Sequence, residues 1–117
     1  MGLYYKSTRN SNLKVTASEA ILKGLAPDGG LFVPEKLPVL GKSMEELKDL
    51  NYQDTAYEVM KCFLTDFTEE ELRNCIEKAY DSKFDDEAIA PLVKVEDTYY
   101  LELFHGATIA FKDMALS

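Results

Sequence analysis

Few side chains in this 117-residue sequence are of a type and in a setting to do chemistry, and Lys112 leads them. A lysine amine acts as nucleophile or base only when neutral, and burial in an apolar site lowers its pKa toward that form. Ile109, Ala110 and Phe111 precede Lys112, and Met114 and Ala115 follow it, so the local sequence is able to supply such a setting. A carboxylate at Asp113 works the other way if it faces the amine, because a nearby negative charge favours the ammonium. Adjacency in sequence does not bring the two together, since neighbours on a helix point in different directions. On composition alone the expectation is the plainer one, an exposed lysine at a helix start.

The other candidates are weaker on their own terms. His105 is the single histidine and has no Ser, Cys or acidic partner at recognisable spacing. The expectation is a hydrogen-bonded structural imidazole where the chain turns at His105-Gly106. Ser7-Thr8-Arg9 offers two hydroxyls and a fixed cation, a combination able to hold an anion; a strand end or cap is the plainer role. Gly29-Gly30 lacks the following helix N-terminus that a phosphate cradle uses, and reads as a turn. Cys62 and Cys75 fall in helical stretches, and Cys75, on an apolar stripe, reads as a reduced core thiol. One histidine and two separated cysteines make no metal site.

The elements that must carry these residues announce themselves. Thr16-Ala-Ser-Glu19, Ser43-Met-Glu-Glu46 and Thr68-Glu-Glu-Glu71 each match a capping box, in which the first side chain accepts from a free backbone N–H and the glutamate reaches back. A fourth helix start falls at Asn51 or Asp54. Ala56, Val59, Met60, Phe63 and Leu64 recur at helical spacing, as do Leu72, Cys75, Ile76, Ala79 and Tyr80, and the two apolar faces are expected to pack as a pair. Leu3–Thr8 and Leu31–Val33 read as short strands, the second ended by Pro34, with a helix from Thr16 to about Leu25 and a turn at 26–30 between them. From Pro91 the pattern changes. Leu92–Glu96 and Tyr99–Phe104, around a turn at 96–98, give a hairpin signal. The fold class is therefore α+β: a mainly helical domain with short strands over 1–90, then a hairpin and the lysine-bearing segment over 91–117.

Totals exclude some functions. A formal net charge of -8, with 13 Lys and Arg, opposes a nucleic-acid partner, which needs clustered cations. No stretch reads as a secretory signal or a membrane span, and Met1-Gly2 lacks the Ser or Thr that myristoylation wants where Lys6 stands. The compartment expected is the cytoplasm.

Three stretches together carry a resemblance: Tyr5-Lys-Ser-Thr-Arg9, Glu19-Ala-Ile-Leu-Lys-Gly-Leu-Ala-Pro-Asp-Gly-Gly-Leu-Phe-Val-Pro34, and Leu103-Phe-His-Gly-Ala-Thr-Ile-Ala-Phe-Lys-Asp113. The chain resembles the N-terminal part of the threonine synthase family, fold-type II enzymes that use pyridoxal 5'-phosphate (PLP), over nearly its whole length. Asn10 stands where the family usually has Gly, and Asn tolerates the left-handed backbone better than most residues. Ala107 stands where the family usually has Pro, which loosens the entry to the lysine helix without touching chemistry.

The resemblance implies specific roles. Lys112 matches the lysine that bonds to PLP, and would be both the cofactor-binding and the catalytic residue, moving protons at Cα and Cβ of the substrate. The reaction implied is O-phospho-L-homoserine and water to L-threonine and phosphate, in threonine biosynthesis. Thr108 and Asp113 would position the lysine, and Ser7, Thr8 and Arg9 would stand on the substrate side, near the site mouth. The family's chain continues well beyond its lysine and there supplies the phosphate loop and the ring partner. The resemblance therefore implies a fragment, truncated early in its catalytic domain and inactive alone. Val93, Val95, Tyr99, Leu101, Phe104, Ile109 and Phe111 should then form an exposed apolar patch, open to self-association. The alternatives are a PLP-dependent, threonine dehydratase-like enzyme, and a non-catalytic helical interaction module.

Overall fold

A computed structural model describes residues 2–117. Two small antiparallel sheets and five helices follow one another as β1 (Tyr5–Ser7), α1 (Ala17–Lys23), β2 (Phe32–Pro34), α2 (Met44–Leu47), α3 (Tyr52–Phe63), α4 (Glu69–Ala79), β3 (Leu92–Val95), β4 (Thr98–Leu101) and α5 (Asp113–Leu116). The α+β class is the one observed.

Capping decides where the helices begin. Thr16, Ser43 and Thr68 each accept from the backbone N–H of the glutamate three residues on, and each glutamate returns a bond to the cap backbone. All three boxes read from the sequence are formed. Asn51, not Asp54, caps α3, accepting from the Asp54 N–H at 2.8 Å. The termini are tighter than periodicity suggested: α1 stops at Lys23, and Gly24, at φ 70, turns the chain away.

The α3–α4 pair closes the larger core. Ile76, Tyr80, Phe84 and Ile89 are buried together, with Tyr52, Ala56, Tyr57, Met60 and Ala79 packed against them. Cys75 corrects the reading of it as a core thiol: it is exposed, because the buried face of α4 runs through Leu72, Ile76 and Tyr80 and leaves Cys75 on its flank. Leu3, Val15, Ala17, Ala20 and Ala26 are buried in the N-terminal part. There β1 pairs β2 in the register Tyr5↔Pro34, Lys6↔Val33 and Ser7↔Phe32. Polar ties join the two halves, among them Leu3 N–H to Thr65 Oγ1 (2.8 Å), Tyr5 hydroxyl to Phe63 C=O (3.0 Å), and Ser18 N–H (3.0 Å) and hydroxyl (2.5 Å) to Asp66 Oδ2.

The hairpin is present but shorter than its apolar run. Leu92 faces Leu101 and Val95 faces Thr98, leaving Glu96 and Asp97 as the loop, with Glu96 at φ 53. β4 ends at Leu101 and does not reach Phe104. Glu102 N–H still bonds to Pro91 C=O (2.9 Å), but the next backbone bond runs from Asp85 N–H to His105 C=O (3.0 Å). The chain leaves its hairpin partner there for the 81–90 segment. All eight residues of β3 and β4 are exposed, as are Phe104, Ile109 and Phe111, so the apolar patch expected around the hairpin is observed.

Candidate active site

The lysine segment is built as two successive turns with one latch. Ile109 N–H bonds to Gly106 C=O (3.0 Å) and Asp113 N–H to Ala110 C=O (3.0 Å), after which α5 begins. Asp113 closes the loop on itself. Its Oδ2 accepts from Thr108 N–H at 2.9 Å and its Oδ1 from the Thr108 hydroxyl at 2.6 Å. The two residues proposed from the resemblance to position the lysine are thus brought together. The adjacency question is answered as well: both carboxylate oxygens of Asp113 are engaged by Thr108.

Gly106 is buried against this latch. A Cβ at Gly106 would lie 2.5 Å from both Cβ and Oδ2 of Asp113, a distance that no real side chain holds. Ile109 sits at φ 63, which a β-branched residue adopts only at a cost of roughly 1–3 kcal/mol. A segment held at such a φ is over-determined by its surroundings, and here the Thr108–Asp113 bonds and the Gly106 contact supply that constraint.

Lys112 occupies the cap position of α5, at φ -64 and ψ -20. It is exposed, and among the described residues its amine makes no hydrogen bond or ion pair. Composition alone pointed to such an exposed helix-start lysine. Two anchors hold its neighbourhood on the helical body. The Tyr80 hydroxyl, at the end of α4, donates to Met114 C=O at 2.8 Å, and Met114 packs against the larger core. On the other side, His105 Nδ1 lies 2.5 Å from Asp85 Oδ1 and Nε2 lies 2.8 Å from Glu102 Oε2. The Glu102 and then the Asp85 hydrogen bond raise the imidazole's pKa above its usual value. His105 is hydrogen-bonded at a chain turn, as its isolation in the sequence suggested. Its two carboxylate partners were missed. Glu102 shares its stretch of chain, but Asp85 comes from a charged loop that nothing in the pattern singles out.

Ser7, Thr8 and Arg9 lie elsewhere, against the 26–30 turn. Ser7, only 2% exposed, donates to Asp28 Oδ1 (2.7 Å) and accepts from Arg9 N–H (3.1 Å). Thr8 Oγ1 accepts from Leu31 N–H (3.1 Å), and one guanidinium nitrogen of Arg9 donates to Asp28 C=O (3.0 Å). The Ser7 hydroxyl and then the Gly30 N–H hold the Asp28 carboxyl below its ordinary value. Gly30 is needed here, since a Cβ would come within 2.2 Å of Ser7 Oγ. Two sequence stretches of the resemblance are therefore two halves of one lock. Among the described residues no hydrogen bond joins this lock to residues 104–117.

Among the described residues there is no group of three or more His, Cys, Asp or Glu able to hold a metal ion. None of their helices is long and apolar enough to cross a membrane.

The profile of a family described as "Threonine synthase N terminus" matches residues 4–80. The threonine synthase of Eremothecium gossypii is 43% identical over 99% of this chain and 24% of its own length. That of Saccharomyces cerevisiae is 38% identical over 96% of this chain and 24% of its own. A crystal structure of a PLP-bound threonine synthase from Brucella melitensis superposes with a TM-score of 0.87 at 33% identity, over 98% of this chain and 25% of that one. The chain thus spans about a quarter of the length of the curated relatives it matches.

Proposed function

The chain belongs to the threonine synthase family, whose N-terminal region it matches, and from that premise we propose that the whole protein is a PLP-dependent threonine synthase in which Lys112 bonds the cofactor. The reaction in this reading is O-phospho-L-homoserine and water to L-threonine and phosphate, in the cytoplasm. The observation that carries the proposal is Lys112 itself: an amine without a partner at the matching position of Phe104-His-Gly-Ala-Thr-Ile-Ala-Phe-Lys112, on a turn that neighbouring residues fix.

The residues present fit PLP at one point. An aldehyde needs a reachable amine not committed elsewhere, and Lys112 is exposed and unengaged. When bound, PLP supplies an electron sink for charge that develops on the substrate. Lys112 would take a proton from Cα and deliver and remove protons at Cβ, as general base and acid by turns. Thr108 and Asp113 keep its turn in place, so that the amine reaches both carbons from a defined direction. Arg9, exposed and with guanidinium N–H groups beyond the one given to Asp28, is assigned with Ser7 and Thr8 to the substrate side. There the cation suits a phosphate monoester.

We assign residues 1–90 to an N-terminal domain and 91–117 to the start of the catalytic domain. Residues 1–117 alone are inactive in this reading, because one amine cannot hold PLP specifically without a phosphate site and a ring partner. The exposed apolar hairpin makes a second copy its ready partner when these residues stand by themselves. Lys112→Ala in the whole protein tests the assignment. Since Lys112 is exposed and without partners, the fold should stand while the yellow cofactor absorbance and threonine formation are lost. Retained turnover removes Lys112 from the mechanism.

A further inference from the structure

We infer that His105, wedged between Asp85 and Glu102, is a positioning residue for Lys112: the pin that fixes the exit of the hairpin, and with it the lysine turn, to the helical body. The inference rests on the proposed role of Lys112 for what the position serves, but the pin itself is a property of the fold.

The geometry is specific. Both ring nitrogens face carboxylate oxygens, which accept, so the geometry favours the doubly protonated imidazolium over either neutral tautomer. The charged groups that face the ring are Asp85, from the 81–90 segment, and Glu102, from its own stretch of chain. Phe104 stacks on it with centroids 4.6 Å apart. The backbone repeats the link, Asp85 N–H to His105 C=O. His105 is thus the point at which the chain stops bonding to the hairpin and starts bonding to the body. Gly106 and the Thr108–Asp113 latch follow directly, so an error in the direction of His105 is carried into the position of Lys112.

The charge state makes the pin pH-sensitive. Its folded pKa is raised by Glu102 and Asp85. Its contribution is therefore complete below the unfolded value of 6.5 and is lost as pH rises through the folded value. A neutral ring has one nitrogen without a proton facing a carboxylate, and that side of the link turns repulsive.

The test uses two variants and needs neither cofactor nor substrate for its first readouts. In the wild type the imidazole followed by NMR titrates above 6.5, and in Glu102→Gln, which keeps an accepting oxygen and removes one charge, it moves down toward that value. In His105→Gln, amide exchange over 106–113 rises by about tenfold while α3 and α4 stay within about twofold. Wild-type protection of 106–113, corrected for intrinsic rates, falls as pH rises through the imidazole titration, and is flat in His105→Gln. In the whole protein His105→Gln lowers kcat by about tenfold or more with KM nearly unchanged, the signature of a displaced catalytic group. A wild-type imidazole at its ordinary value, unchanged exchange over 106–113, or an unchanged kcat each overturns the inference. Should His105→Gln not fold, the Glu102→Gln titration and its exchange over 106–113 decide the question. Absence of borohydride-trapped PLP on Lys112 of the whole protein would sink the enzyme reading separately, leaving the titration and exchange results intact.

Discussion

Gly106→Ala is the sharpest probe of the lysine turn. The added Cβ would stand 2.5 Å from Asp113 Cβ, an atom fixed to the backbone that no rotamer change can move. Ordinary carbon–carbon contact lies at about 3.5 Å, so the start of α5 must shift by roughly 1 Å. Overpacking of this kind costs about 1–3 kcal/mol. The shift also opens the Thr108–Asp113 latch, whose two bonds are exposed enough to count about 0.5–1 kcal/mol each. The sum, about 2–5 kcal/mol, exceeds what the Tyr80 hydroxyl bond to Met114 supplies, about 1 kcal/mol. The turn should therefore release locally and leave the α3–α4 core in place. Amide exchange over 106–116 is expected to rise by roughly 30-fold or more, while exchange in α3 and α4 holds. In the whole protein, a displacement of this size at the amine proposed to react predicts a fall in kcat on the order of a hundredfold. Gly41→Ala is the control, since a Cβ there meets nothing within 4 Å; it should stay within about 0.5 kcal/mol of wild type. Gly106→Ala matching Gly41→Ala in exchange, with turnover within a factor of about two, would refute both the latch and its role in placing Lys112.

Other expectations follow from the supporting elements. Ser7→Ala removes the buried hydroxyl that joins Asp28 to Arg9 and leaves the part-buried Arg9 N–H without its acceptor; urea unfolding followed by circular dichroism should show a loss of about 1–3 kcal/mol at constant slope. The Asp28 pKa is lowered, first by Ser7 and then by the Gly30 N–H, so its contribution is present above the unfolded value and lost as pH falls through the folded one. Acid unfolding of Asp28→Asn should lack that limb. Thr68→Ala removes the α4 cap and should lower stability by about 1 kcal/mol, a fall in Tm of about 4–8 °C by calorimetry.

Local chemistry was legible in the sequence. Each capping box is a closed exchange between residues three apart, so Thr16, Ser43 and Thr68 could be read without knowing the fold. The α3–α4 face was legible for the same reason, its period being a property of one helix at a time. Cys75 shows where this stops. Periodicity gives the apolar side of a helix, but the neighbouring helix decides how much of that side is covered. The end of β4 shows it again. Nothing in Glu102-Leu-Phe-His105 forbids a longer strand; the strand stops because Asp85 offers the backbone and the imidazole other partners. Glu96 at φ 53 lacks the Asn-Gly or Asp-Gly pair that marks most tight hairpin loops, so the loop was read one residue too long.

The candidate site was legible in Lys112, Thr108 and Asp113, through the resemblance, while the contacts that hold them on the body were hidden, and the reason bears on how the site works. Lys112 stands out because it resembles a family's motif lysine, but its placement depends on two contacts with distant parts of the chain, Tyr80 with Met114 and Asp85 with His105, and on one within its own segment, Gly106 with Asp113. Each is a point contact. Between them the hairpin, Ile109 and Phe111 expose apolar surface that nothing in residues 2–117 covers. Such a segment has its direction fixed by polar pins and its energy left to a surface still to be covered. Covering that surface would add apolar burial without redirecting the amine. The pins should therefore govern where Lys112 points, and burial of the hairpin how firmly it stays there. Variants of His105, Gly106 or Asp113 would then alter catalytic geometry, while polar substitutions at exposed Val95 or Tyr99 would weaken association and leave the turn itself unchanged.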